Sequence, residues 1–289
     1  MLAYRGEIDP DLPLDESIGA LSGTFSWPFQ YGYSVVGRVD ESRCSLEQGT
    51  TVFCFHPHQA HLLAKEVEMI DVGGVDPRVA TLLPLVETAL QISLDAGPVA
   101  HQLVVVMGLG AVGILTGALL HRAGATVLAA DPLPWRRAVA QSFSLSSIDP
   151  TRLKTHVAEL TQGRGASLVV EASGHPEALS ESLELLAHEG MVLVASWFGT
   201  KPVTLPLGGA FHRRRLTLRS SQVSTIPARL AANWTKERRL ETTLTLLKEL
   251  PLEPLASHEF PLSEVSTAFR AVDSSTDGLI HAAINYQEV

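Results

Sequence analysis

Cysteine is nearly missing: the 289 residues hold only Cys44 and Cys54, with no CxxC spacing between them. Two thiols cannot build a disulfide framework or a four-cysteine zinc lobe. Charged residues make up only 18% of the chain, and the balance is acidic, −9 overall. A nucleic acid or an anionic membrane would be repelled by that charge, so neither is an expected partner. The one basic run, Arg213-Arg214-Arg215, is too short to reverse this. The opening residues, MLAYRGEIDP, carry acids and a proline where a signal peptide has its apolar core, and a reduced, cytoplasmic protein is expected. Residues 103–120 approach the length of a membrane span. They hold glycines at 108, 110, 113 and 117, whose spacing has another meaning, taken up below.

What is present is an ordinary globular composition, 45% hydrophobic, in a chain long enough for two domains. The first 55 or so residues are rich in turn signals. "YGYSVVGRVD" and "TTVFCF" read as strands and "HLLAKEVEMIDV" as a third with its turn, which suggests a small barrel-like β unit. "DPRVATLLPLVETALQISLDAG" opens on Asp-Pro and has helical spacing, so it is one helix or two short ones. Strands and helices then alternate through "QLVVVMG", "AVGILTGALLHRAG", "TVLAAD", "PWRRAVAQSF", "RLKTHVAELTQG", "ASLVVEAS", "PEALSESLELLAHEG" and "MVLVASW". Nearly continuous apolar strands in such an alternation predict a parallel sheet covered on both faces. A helix over 236–250 and a closing strand, "LIHAAINY", complete the pattern.

The chemistry-bearing motif is Gly108-Leu109-Gly110-Ala111-Val112-Gly113, placed after a strand and at the start of a helix. The first glycine permits a tight turn, the second lets a pyrophosphate approach the backbone, and the third lets helix and strand pack closely. The helix N-terminus then offers free N–H groups to phosphate. Asp131 ends the next strand, at the distance where a carboxylate meets the adenosine ribose hydroxyls. The pair predicts a dinucleotide site, with NAD favoured over NADP because Asp131 would repel a 2′-phosphate. Arg136 and Arg137 weigh the other way, since a basic side chain there can support the ribose or take a phosphate. Ser173 and Gly174, and Ser196 and Trp197, end two later strands and are expected to border the nicotinamide. Gly174-His175-Pro176-Glu177 is equally a good helix start.

The order of parts resembles the medium-chain dehydrogenase/reductase superfamily. "YGYSVVGRV" is similar to its GHExxGxV strand, and "VVEASGHPEAL" and "FPLSEVSTAFRAV…INY" to later landmarks. "VFCFHPHQAHLLA" and "FHRRRLTLRSSQVSTI" look closest to poorly characterised zinc-binding alcohol dehydrogenase and bacteriochlorophyllide dehydrogenase-like members. The resemblance implies an α/β fold: a Rossmann doubly wound parallel sheet plus a GroES-like β-barrel catalytic domain, here N-terminally incomplete. Its expected bounds are residues 1–90 for the first part of the catalytic domain, 91–225 for the dinucleotide-binding domain and 226–289 for a segment returning to the catalytic domain. It also implies a homodimer joined near "RLTLRSS". The zinc chemistry does not carry over. The family's ligating histidine falls on Tyr33, followed by Ser34, and another ligand position falls on Pro84. A catalytic zinc takes about three protein ligands, so no metal is expected. Full members have further N-terminal strands, which raises either a misassigned start or a trimmed product.

Without zinc, the proton that accompanies hydride transfer falls to a hydroxyl, an imidazole or water. Tyr33 and Ser34 stand at the former metal position. His56, His58 and His61 form the densest histidine cluster. On a strand His56 and His58 would share a face, which raises a metal reading. His58 and Gln59 would form a substrate wall, and the plainer reading is solvated or capped loop residues. Glu87 either lines a cleft or caps its helix; Cys54 reads as a small core residue. The expected function is zinc-independent hydride transfer between NAD(H) and a small alcohol or carbonyl substrate. The alternatives are an NADPH-dependent quinone or enoyl reductase, and a dinucleotide-binding protein without turnover.

Overall fold

Short strands broken by glycine and proline open the chain, and longer apolar ones fill its middle. The computed structural model describes residues 1–15 and 17–286. Two compact units divide the chain, one from Met1–Pro84 with Leu240–Val289 and the other Leu85–Arg239.

In the first unit β1 (Ser34–Arg38), β2 (Thr51–Phe55) and β3 (Met69–Asp71) form an antiparallel sheet with β2 in the centre. Val39, Val52 and Cys54 pack on it, which gives Cys54 the core role its apolar neighbours suggested. Residues before β1 make turns around a second small core of Ala3, Ile8, Leu14, Leu21 and Phe25. The stretch read as one or two helices is two. α1 (Pro77–Ala80) starts at Asp76, whose carboxylate accepts the Arg78 N–H, and α2 (Leu83–Ala96) follows.

The second unit is built from β4 (Leu103–Met107), α3 (Ala111–Arg122), β5 (Thr126–Ala130), α4 (Pro134–Ser142), β6 (Ser146–Ile148), α5 (Leu153–Thr161), β7 (Ala166–Glu171), α6 (Pro176–Leu185), β8 (Leu186–Val194) and β9 (Thr217–Ser220). All six strands are parallel, in the order β6-β5-β4-β7-β8-β9. The chain therefore reverses its winding between β4 and β7, the topological switch point at which open α/β sheets bind ligands. β4 and β7 are Val-rich and buried because helices cover both faces. α3 is apolar nearly all round and is buried from Ala111 to Leu120 save Val112.

Two boundaries differ from the sequence reading. The helix expected to reach Gly190 stops at Leu185, and β8 begins at Leu186, which is fully buried beside Ala166. Apolar burial in the sheet outweighs helix propensity there. β6 escaped the reading because Ser146-Ser147-Ile148 has too few apolar positions to show a period.

The chain closes with α7 (Lys236–Glu249), β10 (His258–Pro261), α8 (Val265–Asp273) and β11 (Ala282–Asn285), of which β10 and β11 pair in parallel in the first unit. Distant parts of that unit meet at Thr81. Its carbonyl accepts the Ser34 hydroxyl at 2.9 Å, and its Oγ1 lies 3.0 Å from His281 Nε2. Because the Thr81 hydroxyl donates to Arg78 O at 2.6 Å, His281 carries the proton on Nε2. Burial lowers the His281 pKa to about 4, so it folds neutral. The unfolded chain binds a proton there below about pH 6.5 and the folded one does not, so stability falls as pH drops from 6.5 to about 4. The expected loss is about 3 kcal/mol across that window. Denaturant titrations at pH 7 and pH 4.5 should show a smaller pH effect in His281→Gln, and an equal effect in both proteins would remove His281 as its source.

Candidate functional site

The glycine turn joins the end of β4 to α3, at the switch point. Gly108 has φ +99°, and a Cβ there would lie 2.7 Å from the Ala172 carbonyl carbon and oxygen in the loop after β7. A Cβ at Gly113 would lie 1.9 Å from the Gly108 carbonyl oxygen. At Gly110 a Cβ would meet nothing within 4 Å. Two glycines are thus demanded by the protein's own packing. The third keeps an open space beside the turn, as a pyrophosphate would require. Gly110 is the N-cap of α3 and supplies no side-chain cap, which leaves the first N–H groups of the helix without a side-chain acceptor from that residue. Leu109, Ala111 and Val112 complete the turn.

Asp131 follows β5 and is buried, at 2% exposure. Its Oδ2 accepts the Leu109 N–H at 2.8 Å and its Oδ1 the Leu133 N–H at 2.9 Å. The carboxylate expected to meet a ribose also fixes the glycine turn to the end of β5. An ionised carboxylate has about four lone-pair sites, so capacity for ribose hydroxyls remains. Arg136 places Nη1 3.6 Å from Asp131 Oδ2 and lies over the Trp135 ring, with its Nε buried and lacking a hydrogen-bond partner. Arg137 turns instead to the backbone, donating to the carbonyls of Asp131 and Pro132.

Ser173 and Gly174, after β7, lie beside Ser196, after β8: the Gly174 N–H donates to Ser196 Oγ at 2.8 Å. Trp197 is the next residue and is 47% exposed. These positions, the glycine turn and Asp131 all follow the carboxyl ends of adjacent parallel strands. Glu87 does not join them. It lies on α2, where its carboxylate accepts from Arg239 Nε at 3.0 Å.

In the first unit the residue before Tyr33 lies against His58. The His58 ring lies so close over Gly32 that a Cβ there would be 2.7 Å from it. Tyr33 packs edge-on to Tyr31 at 5.5 Å and stacks on Phe55 at 6.3 Å. Burial raises the Tyr33 pKa, with Asp15 adding to it, so the phenol keeps its proton at neutral pH. Desolvation of the ring lowers the His58 pKa, leaving a neutral imidazole. Ser34 is committed to the Thr81 carbonyl. His56 and His58 lie beyond the end of β2 rather than on one strand face, and His56 Nδ1 is 2.9 Å from Gln59 Nε2. Among the described residues no three His, Cys, Asp or Glu side chains are placed to hold a metal ion. No helix among them is long and apolar enough to cross a membrane.

The sequence reading missed Glu171, a fully buried acid at the end of β7, and Arg239, buried on α7. A single acid closing the otherwise apolar run "ASLVVEAS" was a usable signal, since acids are almost never fully buried unless paired. Arg239 lies in the charged stretch "KERR" and gave none.

Residues 111–237 match the zinc-binding dehydrogenase family. L-threonine 3-dehydrogenase of Bacillus subtilis is 28% identical over 215 residues, 72% of this chain and 58% of that enzyme. Sorbitol dehydrogenase of Halalkalibacterium halodurans is 28% identical over 263 residues, 84% of this chain and 71% of that one. The chain spans little more than half the length of the L-threonine 3-dehydrogenases it matches. The crystal structure of a zinc-dependent alcohol dehydrogenase from Streptococcus pneumonia shares the fold. Its TM-score is 0.73 at 18% identity, over 90% of this chain and 84% of that one. These matches relate the chain to the zinc-type medium-chain alcohol dehydrogenases, and the fold is theirs: a Rossmann sheet with a GroES-like partner unit.

Proposed function

We propose that this chain is an oxidoreductase that moves a hydride between NAD(H) and an alcohol or carbonyl substrate without a catalytic zinc. The observation that carries the reading is the turn at the switch point. Gly108 and Gly113 are glycine because a Cβ would strike backbone, Gly110 leaves the approach open, and Asp131 holds the Leu109 amide. Gly108 to Gly113 would cradle the pyrophosphate, Asp131 and Arg136 the adenosine ribose, and Ser173, Gly174, Ser196 and Trp197 the nicotinamide side. The bound nicotinamide supplies or accepts the hydride.

The donor set does not suit zinc. Tyr33 is walled by aromatic rings, Ser34 is bonded to a backbone carbonyl, and Pro84 has no ligand atom. We assign the proton to the Tyr33 phenol and the substrate wall to His58, whose neutral ring lies against Gly32. In this reading residues 85–239 bind the cofactor. The protein acts in the cytoplasm as a homodimer, the exposed edge strand β9 being the surface offered to a second copy.

The buried carboxylate of Asp131 favours NAD over NADP, since a 2′-phosphate would meet its charge. Arg136 beside it gives the NADPH-dependent reductase reading its one specific support. Fluorescence titration of the protein with NADH and with NADPH separates these. Asp131→Ala should weaken NADH binding at least tenfold, about 1.4 kcal/mol. Unchanged affinity in a folded variant would remove the ribose assignment. Binding of NADH without turnover on a broad carbonyl panel would leave a dinucleotide-binding protein in its place.

A further inference from the structure

Glu171 is an acidic side chain that no step above uses. It is fully buried, it ends β7 beside Met107 and Val194, and its Oε2 is enclosed with no hydrogen-bond partner. Leaving one oxygen of a buried acid unpaired costs stability, and such groups are kept where they serve something else. The other oxygen is fully engaged. Glu171 Oε1 accepts the Ser173 N–H at 2.8 Å and the Ser173 hydroxyl at 2.6 Å. Ser173 Oγ in turn accepts the His175 N–H at 3.1 Å, just ahead of α6. The Glu171 backbone carbonyl, independently of its side chain, accepts the N–H groups of Ala195 and Ser196, at 2.8 and 3.2 Å. Ser196 Oγ closes the circuit by accepting the Gly174 N–H.

From these bonds we infer that Glu171 is a positioning residue for the nicotinamide half of the cofactor. Its side chain fixes the turn after β7 through Ser173, and that turn is tied to the loop after β8 by the bond from the Gly174 N–H to Ser196. The inference rests on the dinucleotide reading above, and it assigns a role that reading does not contain. The side-chain hydrogen bonds reach Ser173, whose neighbour Gly174 bonds Ser196, and these are the residues placed beside the nicotinamide. They do not reach Asp131, Arg136 or the amides at the start of α3, which face the adenosine half and the phosphates. Glu171 therefore affects one half of the ligand and not the other. In Glu171→Gln an amide replaces the carboxyl group that accepts both bonds from Ser173.

The test compares two ligands, NADH and ADP-ribose, the latter sharing everything but the nicotinamide. Binding of each is measured by calorimetry to the wild type, Glu171→Gln and Ser173→Ala, with melting curves for all three. In Glu171→Gln, NADH affinity is expected to fall roughly tenfold while ADP-ribose affinity stays within about twofold. The emission of bound NADH should shift towards that of the free cofactor. Ser173→Ala, which removes the hydroxyl between Glu171 and His175, should give the same split at smaller size. This second variant keeps the test decisive should Glu171→Gln fail to fold. Equal losses for both ligands, or no loss for either, would overturn the positioning role while leaving the dinucleotide site standing. Failure of the wild type to bind either ligand would overturn the dinucleotide reading itself, and the inference with it.

Discussion

Alanine at Gly113 is expected to abolish measurable NADH binding and to lower the stability of the 85–239 unit together. A Cβ at this position would sit 1.9 Å from the Gly108 carbonyl oxygen, far inside van der Waals contact. The obstacle is backbone, so no rotamer change relieves it. Either α3 withdraws from β4 or the turn reorganises, and overpacking of this kind costs roughly 1–3 kcal/mol or more. Displacing the turn also breaks the Leu109 to Asp131 hydrogen bond that orients the first amides of α3. The loss of NADH affinity should exceed a hundredfold, about 2.7 kcal/mol. Gly110→Ala is the matched control, because its Cβ would meet nothing within 4 Å. It should melt like the wild type and still bind NADH poorly, as the new methyl group would stand where the pyrophosphate approaches. If Gly113→Ala binds NADH normally, the glycine turn is not the cofactor's seat. Loss of stability in Gly110→Ala would instead mean that its open side has a structural use.

The second large effect is expected at Arg239. α2 presents Glu87, Gln91 and Asp95 at successive helical turns, and each meets a polar partner from residues 219–239. Arg239 Nε donates to Glu87 at 3.0 Å, and its Nη1 donates to the Gln91 amide oxygen at 2.6 Å. Asp95 takes Arg229 at 2.5 Å and the Ser221 hydroxyl at 2.7 Å. The Arg239 side chain is only 4% exposed and that of Glu87 13%, so the pair is largely dry. Arg239→Met removes the cation and strands the Glu87 charge, which costs about 3–5 kcal/mol. For a unit of this length that corresponds to a fall in Tm of roughly 10 °C. Replacing both charges, Arg239→Met with Glu87→Leu, should recover most of the loss, because a buried ion pair exchanges for apolar packing nearly evenly. Differential scanning calorimetry on the two single variants and the double variant settles it. A double variant no more stable than Arg239→Met would mean that the charges do not compensate each other. Neither change touches the glycine turn, so NADH affinity at low temperature should be kept.

The readable parts of this chain are those whose signal is local. Val104 to Val106 announce a doubly covered strand by being apolar without interruption, and Gly108 to Gly113 announce a turn by spacing alone. The unreadable parts depend on partners far along the chain. Glu87 looked like a cleft or capping residue because nothing near it hints at Arg239, which follows 152 positions later. Ser34 looked available for chemistry, but its hydroxyl is spent on the carbonyl of Thr81. His281 drew no attention as an isolated histidine, though burial holds it neutral beside Thr81. Asp131 was legible as a site residue but not in its second capacity, since a bond from a carboxylate to an amide 22 residues away has no sequence signature.

The link among Ser34, Thr81 and His281 bears on how the chain is made. The first unit uses residues 1–84 and again 240–289, with 85–239 inserted between them. During synthesis the inserted unit is contiguous and can close once its own strands have left the ribosome, β9 being the last of them. The first unit must wait for β10, α8 and β11 before Arg5 can meet Asp273, Tyr4 can meet Phe269 and Thr81 can meet His281. Chaperone dependence in the cell should therefore follow exposure of residues 1–84 on the nascent chain, and a stop codon placed before 240 would strand that segment without its second half.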